Sequence, residues 1–384
     1  MVWEIDPSNL GTGLPLEGVR VLDLSRVLAG PLCAMIAGDL GADVIKVESP
    51  DGDPVRALAP PRFGDDATYY LAVNRHRRNV VADLRRTEDF NHVAALVDVA
   101  DVVVENYLES QVRSLGIDQL RERNLDCVWV SITPATSGGP LADLPSFDLL
   151  AQARSGLMGV TGEPDGPPSK VGSPVADVVT GLYGAIAMLA GLFARSLERP
   201  GRRFEAPLLE STMSALINQA QGYLATGANP KRLGNDHPSI APYGPVTTSD
   251  GLLLLAVGTD QQFVRLVKLI GDERLSRGEW ATNDERVAAR DDLRSTLNAI
   301  FVERSSEHWL GVLNGSGVPH APVLDVAGAF AQEQIRDGDF VGEMSSPGGP
   351  LATMRTPLLI DGVRPAIRRG PRRQGEDTDS IFGA

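Results

Sequence analysis

An α/β chain built on a parallel sheet, with a Rossmann-like large domain, is the fold class predicted by three observations. Short β-branched runs such as GVRVLDL (18–24) and DVIKVES (43–49) read as strands. Stretches with helical apolar spacing, such as LCAMIAGDLGA (32–42), separate them. The two kinds alternate through the first part of the chain, as strands joined by crossover helices do.

The elements follow in order. Strand 18–24, the loop SRVLAGP, helix 32–42 and strand 43–49 make the first β-α-β unit. NVVADL (79–84), DVVVEN (101–106) and CVWVSI (127–132) continue the strands, with helices at 87–99 and about 110–122. A long apolar helix covers 178–195. Beyond it, RPGRRFEAPLLESTMSALINQAQGYLATG is helical in its second half. The character then changes to the loop-rich NPKRLGNDHPSIAPYGPVTTSDG, followed by a strand at 252–258, helices at 260–270, 285–303 and 306–313, and a strand at 321–326. The predicted organisation is a large Rossmann-like domain over 1–200, a linker helix over 201–225, a smaller α+β domain over 226–325, and a C-terminal segment over 326–384 with little periodic structure before its last residues.

Net charge is −14, which argues against general binding to nucleic acid or an anionic membrane but leaves room for a local basic pocket. The two cysteines, Cys33 and Cys127, have no CxxC spacing and read as buried thiols in a reducing, cytoplasmic setting. No HExxH, Cys/His cluster or EF-hand loop suggests a metal. MVWEIDPSNLGTG has no basic n-region or apolar h-region and does not read as a signal peptide. The apolar run 178–194 is at the lower edge of membrane-spanning length and reads better as a core helix. The GTG at 11–13 precedes the first strand, on the wrong side for a dinucleotide fingerprint, so NAD is not expected.

Two stretches could carry chemistry. Asp177 is the last formal charge before the apolar helix. It reads either as an N-cap or as a nucleophilic carboxylate kept ionised by the helix dipole and backbone donors. NRHRRNVVADLRR (74–86) gathers Arg75, Arg77, Arg78, Arg85 and Arg86, either as a solvated rim or as a phosphate site. The five histidines form no recognisable triad, and no GxSxG elbow is present.

Nearly end to end, the chain resembles the class III CoA-transferases, which include formyl-CoA transferase and carnitine CoA-transferase. The resemblance is carried by LEGVRVLDLSRVLAGP (16–31), LGADVIKVESPDGDPVR (40–56), NRHRRNVVADLR (74–85), ADVVVENY (100–107), the segment from SFDLLAQ through GSPVADVVTGLYGAIAMLAGL (146–192), APYGPVTTSDGLLLLAVGTDQQF (241–263) and GEDTDSIFGA (375–384). It implies a large and a small domain, with the C-terminal segment returning to the large one, and two chains threaded into an interlocked homodimer. It implies coenzyme A as the carried group, an acyl-CoA donor and a carboxylic acid acceptor, and Asp177 as the nucleophile through aspartyl anhydride and aspartyl-CoA thioester. Asp148 stands where the family has a glutamate near the active site. The resemblance places the coenzyme against Arg26, Val27, Leu28, Ala29, Ala82, Arg85, Asn106 and Tyr107. An expected arginine aligns with Ser114, beside Arg113. Leu28 replaces a glutamine of formyl-CoA transferase, and HPSIAPYGPV replaces its glycine-rich flap. Tyr243 in that segment is either a substrate-pocket residue or domain packing. Two other functions compete. An α-methylacyl-CoA racemase would have a His-Asp pair where this chain has Phe147-Asp148, and a non-catalytic CoA-binding protein would not need the full motif around Asp177.

Overall fold

The structure, a computed structural model, describes residues 3–276 and 278–383. Its chain contacts fall into two compact units, the first formed by Met1–Leu157, Val171–Ala228 and Glu333–Ala384, the second by Met158–Lys170 and Asn229–Gln332.

The first unit opens with β1 (Arg20–Asp23), α1 (Ala29–Asp39) and β2 (Asp43–Glu48). A two-residue ladder of β3 (Arg62–Phe63) and β4 (Asp66–Ala67) leads to α2 (Thr68–Val73) and β5 (Arg77–Val81). Then come α3 (Thr87–Val97), β6 (Val102–Glu105), α4 (Glu109–Ser114), α5 (Ile117–Arg123), β7 (Val128–Thr133) and α6 (Asp148–Arg154). After the single turn α7 (Leu157–Val160), the chain continues through α8 (Val175–Ser196), β8 (Arg203–Pro207), α9 (Leu208–Ser214) and α10 (Asn218–Thr226).

The six long strands form one sheet in the order β5-β2-β1-β6-β7-β8, every neighbouring pair parallel. Counted along the chain this is 3-2-1-4-5-6, the doubly wound order. Strand burial explains the β-branched runs: all six residues of β2 and of β7 are buried, as strands covered on both faces must be. Strand β8 corrects the expectation of a helical linker over 201–225. Its residues RFEAP are charged and end in proline, a composition that suits an edge strand and hides it from a hydrophobic pattern.

Helix α8 lies against α1, β7 and β8. The glycines of this apolar helix are contact points. A Cβ on Gly181 would come within 2.8 Å of the Ala29 carbonyl oxygen, and one on Gly191 within 2.4 Å of Val128. The helix is long and apolar enough to cross a membrane, but its small-residue face is packed on the chain's own sheet.

In the second unit, β9 (Tyr243–Thr247), β10 (Leu252–Ala256) and β11 (His320–Pro322) form an antiparallel sheet in the order β11-β10-β9. With α11 (Asp260–Ile270), α12 (Asn283–Ala288), α13 (Arg290–Phe301) and α14 (Ser306–Leu313) it encloses its own core around Trp280, Leu297 and Phe301. The unit also takes in residues 158–170, which the sequence pattern assigns to the large domain. The tail is more ordered than its composition suggests. It holds α15 (Val326–Ala331), α16 (Glu333–Arg336), a hairpin of β12 (Val341–Ser346) and β13 (Gly349–Met354), and α17 (Thr378–Phe382). In the first unit, Asp377 and Thr378 accept the Asn79 and Val81 backbone N–H groups of edge strand β5, so the tail caps that edge.

Candidate active site and coenzyme site

In a doubly wound sheet the strand order reverses between β1 and β6, and the loops leaving those two strands open a crevice. The loop after β1 is Leu24–Leu28 and the one after β6 starts at Asn106. They are tied together: Asn106 accepts the Arg26 N–H (3.0 Å) and donates to the Arg26 carbonyl (2.8 Å). The next residue, Val27, has φ +71°, a left-handed conformation that is strained for a β-branched side chain. Its N–H donates to both oxygens of Asp53 (3.1 and 3.3 Å), and Asp53 is itself paired with buried Lys46 (2.9 Å). The loop is therefore preset before any ligand arrives.

A cavity of about 340 Å³ opens at this loop. Arg26, Val27, Leu28, Ala29, Asn106, Phe147 and Asp177 all line it, with Ile132, Pro134 and Leu208 supplying apolar wall. Asp177 stands in the first turn of α8, but it does not cap it. Pro174 occupies the N-cap, and the helix N–H groups go to Asp148: its Oδ1 accepts Ala176 N–H at 2.8 Å and Asp177 N–H at 3.4 Å. The other Asp148 oxygen accepts Gln152 Nε2 at 2.7 Å. This overturns both sequence readings of Asp177, as a cap and as a carboxylate held ionised by helix donors. Burial, with the negative charge of Asp148 added, pushes its carboxyl up to about 7. Among the described residues no group donates a hydrogen bond to that carboxylate. One acid spends the helix terminus on holding the backbone; the other is left free and basic.

Tyr69 on α2 is a neighbour that no sequence pattern singles out. It packs beside Leu28 and Val178, and burial, with the charges of Asp177 and then Asp148, pushes its phenol up to about 12.

A second cavity, of about 310 Å³, is lined by the same Arg26, by Ser49–Asp53 after β2, and by Ala82 and Arg85 after β5, with Tyr107 on its wall. Arg85 is exposed there and has no ion pair among the described residues. Of the other four arginines of the 74–86 stretch, three are engaged by internal carboxylates and one lies at the surface. Arg75 grips Asp39 (2.6 Å), Arg77 lies 3.4 Å from Asp23, Arg78 meets Asp43 (2.6 Å), and exposed Arg86 faces Glu88 and Asp89. The first three are internal pairs and so contradict the solvated-rim reading. Arg113 pairs with Glu109 on its own helix (3.1 Å) and lines a cleft of about 170 Å³ that shares Tyr107 with the 310 Å³ cavity. Tyr243 belongs to the second unit, where it is 41% exposed and its ring lies 5.2 Å from that of His237. Cys33 and Cys127 are buried free thiols, and burial raises the pKa of each, away from the thiolate form. Among the described residues no group of His, Cys, Asp and Glu could hold a metal.

Residues 16–378 match CoA-transferase family III. The chain is 38% identical to the succinate–glutarate CoA-transferase of Agrobacterium fabrum, covering 96% of this chain and 95% of that one. It is 36% identical to the human succinyl-CoA:glutarate CoA-transferase, covering 99% and 88%. Among solved structures, a CaiB/BaiF family protein from Brucella suis superposes with a TM-score of 0.85 at 36% identity, over 96% of this chain and 99% of that one. A doubly wound sheet with an unengaged carboxylate at its switch point and these matches along its length lead to one assignment: the chain belongs to CoA-transferase family III.

Proposed function

We propose that the protein transfers coenzyme A from a small dicarboxylic acyl-CoA, such as succinyl-CoA, to a second dicarboxylate of similar size, with Asp177 as covalent nucleophile. The observation that carries the reading is the Asp177 carboxylate, free of donors and pushed up to about 7, facing an apolar-walled cavity beside the Arg26 loop. The relatives' names supply the dicarboxylate class.

The chemistry needs no net proton transfer. An Asp177 oxygen attacks the thioester carbonyl, the C–S bond breaks, and CoA thiolate leaves a mixed anhydride. The thiolate attacks the Asp177 carbonyl carbon, expelling the donor's carboxylate and leaving an aspartyl-CoA thioester. The acceptor carboxylate attacks the same carbon and expels thiolate, and the thiolate attacks the acceptor's acyl carbon to release the new acyl-CoA and free Asp177. A desolvated, basic carboxylate favours the first attack, and apolar walls shield the anhydride from water. Phe147, at the position where the racemases carry a histidine, brings no acid–base group to the cavity.

A panel of acyl-CoA donors and carboxylate acceptors, read by mass spectrometry, tests the substrate class. Succinyl-CoA with glutarate yields glutaryl-CoA; a panel in which no dicarboxylate becomes a thioester defeats the reading.

The acid–base arrangement predicts the pH profile. The nucleophile is the ionised form, so kcat/KM is flat above about pH 7 and falls about tenfold per pH unit below it. Asp148→Asn removes the like charge and moves that acid limb to lower pH. An unmoved limb contradicts the role given to Asp148.

In the 310 Å³ cavity we assign Arg85, which has no ion pair among the described residues, to a coenzyme phosphate. Arg85→Ala weakens CoA binding by about 1–3 kcal/mol, the range of a charged hydrogen bond. Calorimetry that shows unchanged affinity removes Arg85 from the site.

A further inference from the structure

Gln152, on α6, is fully buried, at 0% exposed. Chemistry fixes its amide orientation. The Val171 backbone N–H can only donate, and it lies 2.8 Å from Gln152 Oε1. Nε2 must therefore be the atom 2.7 Å from Asp148 Oδ2, and it donates there. Asp148 in turn accepts the first N–H groups of α8 through its other oxygen. A continuous hydrogen-bonded path thus runs from Val171 through Gln152 and Asp148 to the helix turn that carries Asp177.

Val171 is also where the chain re-enters the first unit, after leaving it beyond Leu157. The short run from Val171 to Pro174 leads directly into α8. Gln152 holds the start of that run, and Asp148 holds the helix turn that follows it. Gln152 does not line the cavity, so it has no route to the reacting atoms.

We propose that Gln152 is a positioning residue: it aims the Asp177 carboxylate by locking Asp148 and the Val171 re-entry point together. The proposal rests on Asp177 being the nucleophile. The titratable groups facing this network are Asp177 on α8 and Tyr69 on α2, the latter through its charge coupling to both acids. On α9, Glu210 is committed to Thr136, Arg154 on α6 itself is exposed, and Arg26 lines the cavity that Asp177 faces.

Two variants of the full chain test it. Gln152→Leu keeps the volume and removes both hydrogen bonds. We expect kcat to fall roughly 10- to 100-fold, the cost of a small misalignment of a reacting group. CoA affinity by calorimetry stays within about twofold, because the coenzyme groups are untouched. Gln152→Glu makes a sharper test. In its protonated form the introduced carboxyl can still accept from Val171 and donate to Asp148. As it ionises, two carboxylates meet and the path breaks. Its kcat therefore approaches the wild-type value at acid pH and falls as pH rises, where the wild type holds a plateau. Wild-type kcat in Gln152→Leu, or a wild-type pH profile in Gln152→Glu, overturns the proposal. If Gln152→Leu does not fold, the Gln152→Glu profile decides alone. Asp177→Asn, run alongside, separates the two claims: retained transfer there defeats the nucleophile itself, whereas its loss beside unaffected Gln152 variants defeats only this inference.

Discussion

Asp177→Asn and Asp177→Ala lose CoA transfer by at least about 10³-fold while still binding coenzyme A, as removal of a covalent group requires. No second acid can substitute. Asp148 is held by two backbone N–H groups and Gln152, and moving it would unseat the start of α8. The same substitution has a stability signature. The folded-state pKa of Asp177, about 7, lies above its ordinary value of 3.8, so the folded chain binds the proton more tightly than the unfolded one. The stability cost of ionising Asp177 is small at pH 4, grows as pH rises and is complete above pH 7. Asp177→Asn escapes it. We expect the variant to be more stable than wild type at pH 8 by on the order of 2 kcal/mol, discounted for solvent screening, and to show little advantage at pH 4. Melting curves at the two pH values read this directly. Equal melting at both would mean that the carboxylate is not held against its solvation.

The second large effect concerns assembly. In the single chain, α8 buries a face of small residues, Gly181, Gly184, Ala185 and Gly191, and leaves Leu182, Ile186, Leu189 and Phe193 outward, with Ile186 60% and Phe193 66% exposed. Those four positions recur at helical spacing, so they form one apolar stripe. Ile217 and Leu224, each 75% exposed, add further apolar surface on and beside α10. A monomer rarely leaves this much apolar surface in water. We propose that a second copy covers it in the interlocked dimer implied by the family resemblance. Ultracentrifugation then finds a dimer from micromolar to nanomolar concentration, with dissociation only on unfolding. Ile186→Asp with Phe193→Asp yields no soluble dimer. A folded, active monomer on dilution contradicts this.

The strand–helix alternation was legible because β2 and β7 are buried on both faces and so carry uninterrupted apolar runs. Strand β8 was not, because an edge strand tolerates the charges and proline of RFEAP. At the site, Asp177 stood out as a lone charge before an apolar helix, but its chemistry could not be read locally. The donors expected to ionise it are taken by Asp148, whose place on α6 only the fold supplies. The arginine stretch misled for the same reason. Arg75, Arg77 and Arg78 meet Asp39, Asp23 and Asp43, which sequence spacing does not pair but the first units of the sheet bring alongside. Gln152 and Tyr69 have no signature in sequence, since each matters through what it touches.

The most direct test of the account is peptide mass mapping after incubation with succinyl-CoA and hydroxylamine. A hydroxamate is expected on Asp177 and on no other carboxylate, formed only when the acyl-CoA is present. Transfer that proceeds at full rate while Asp177 stays unmodified would contradict it.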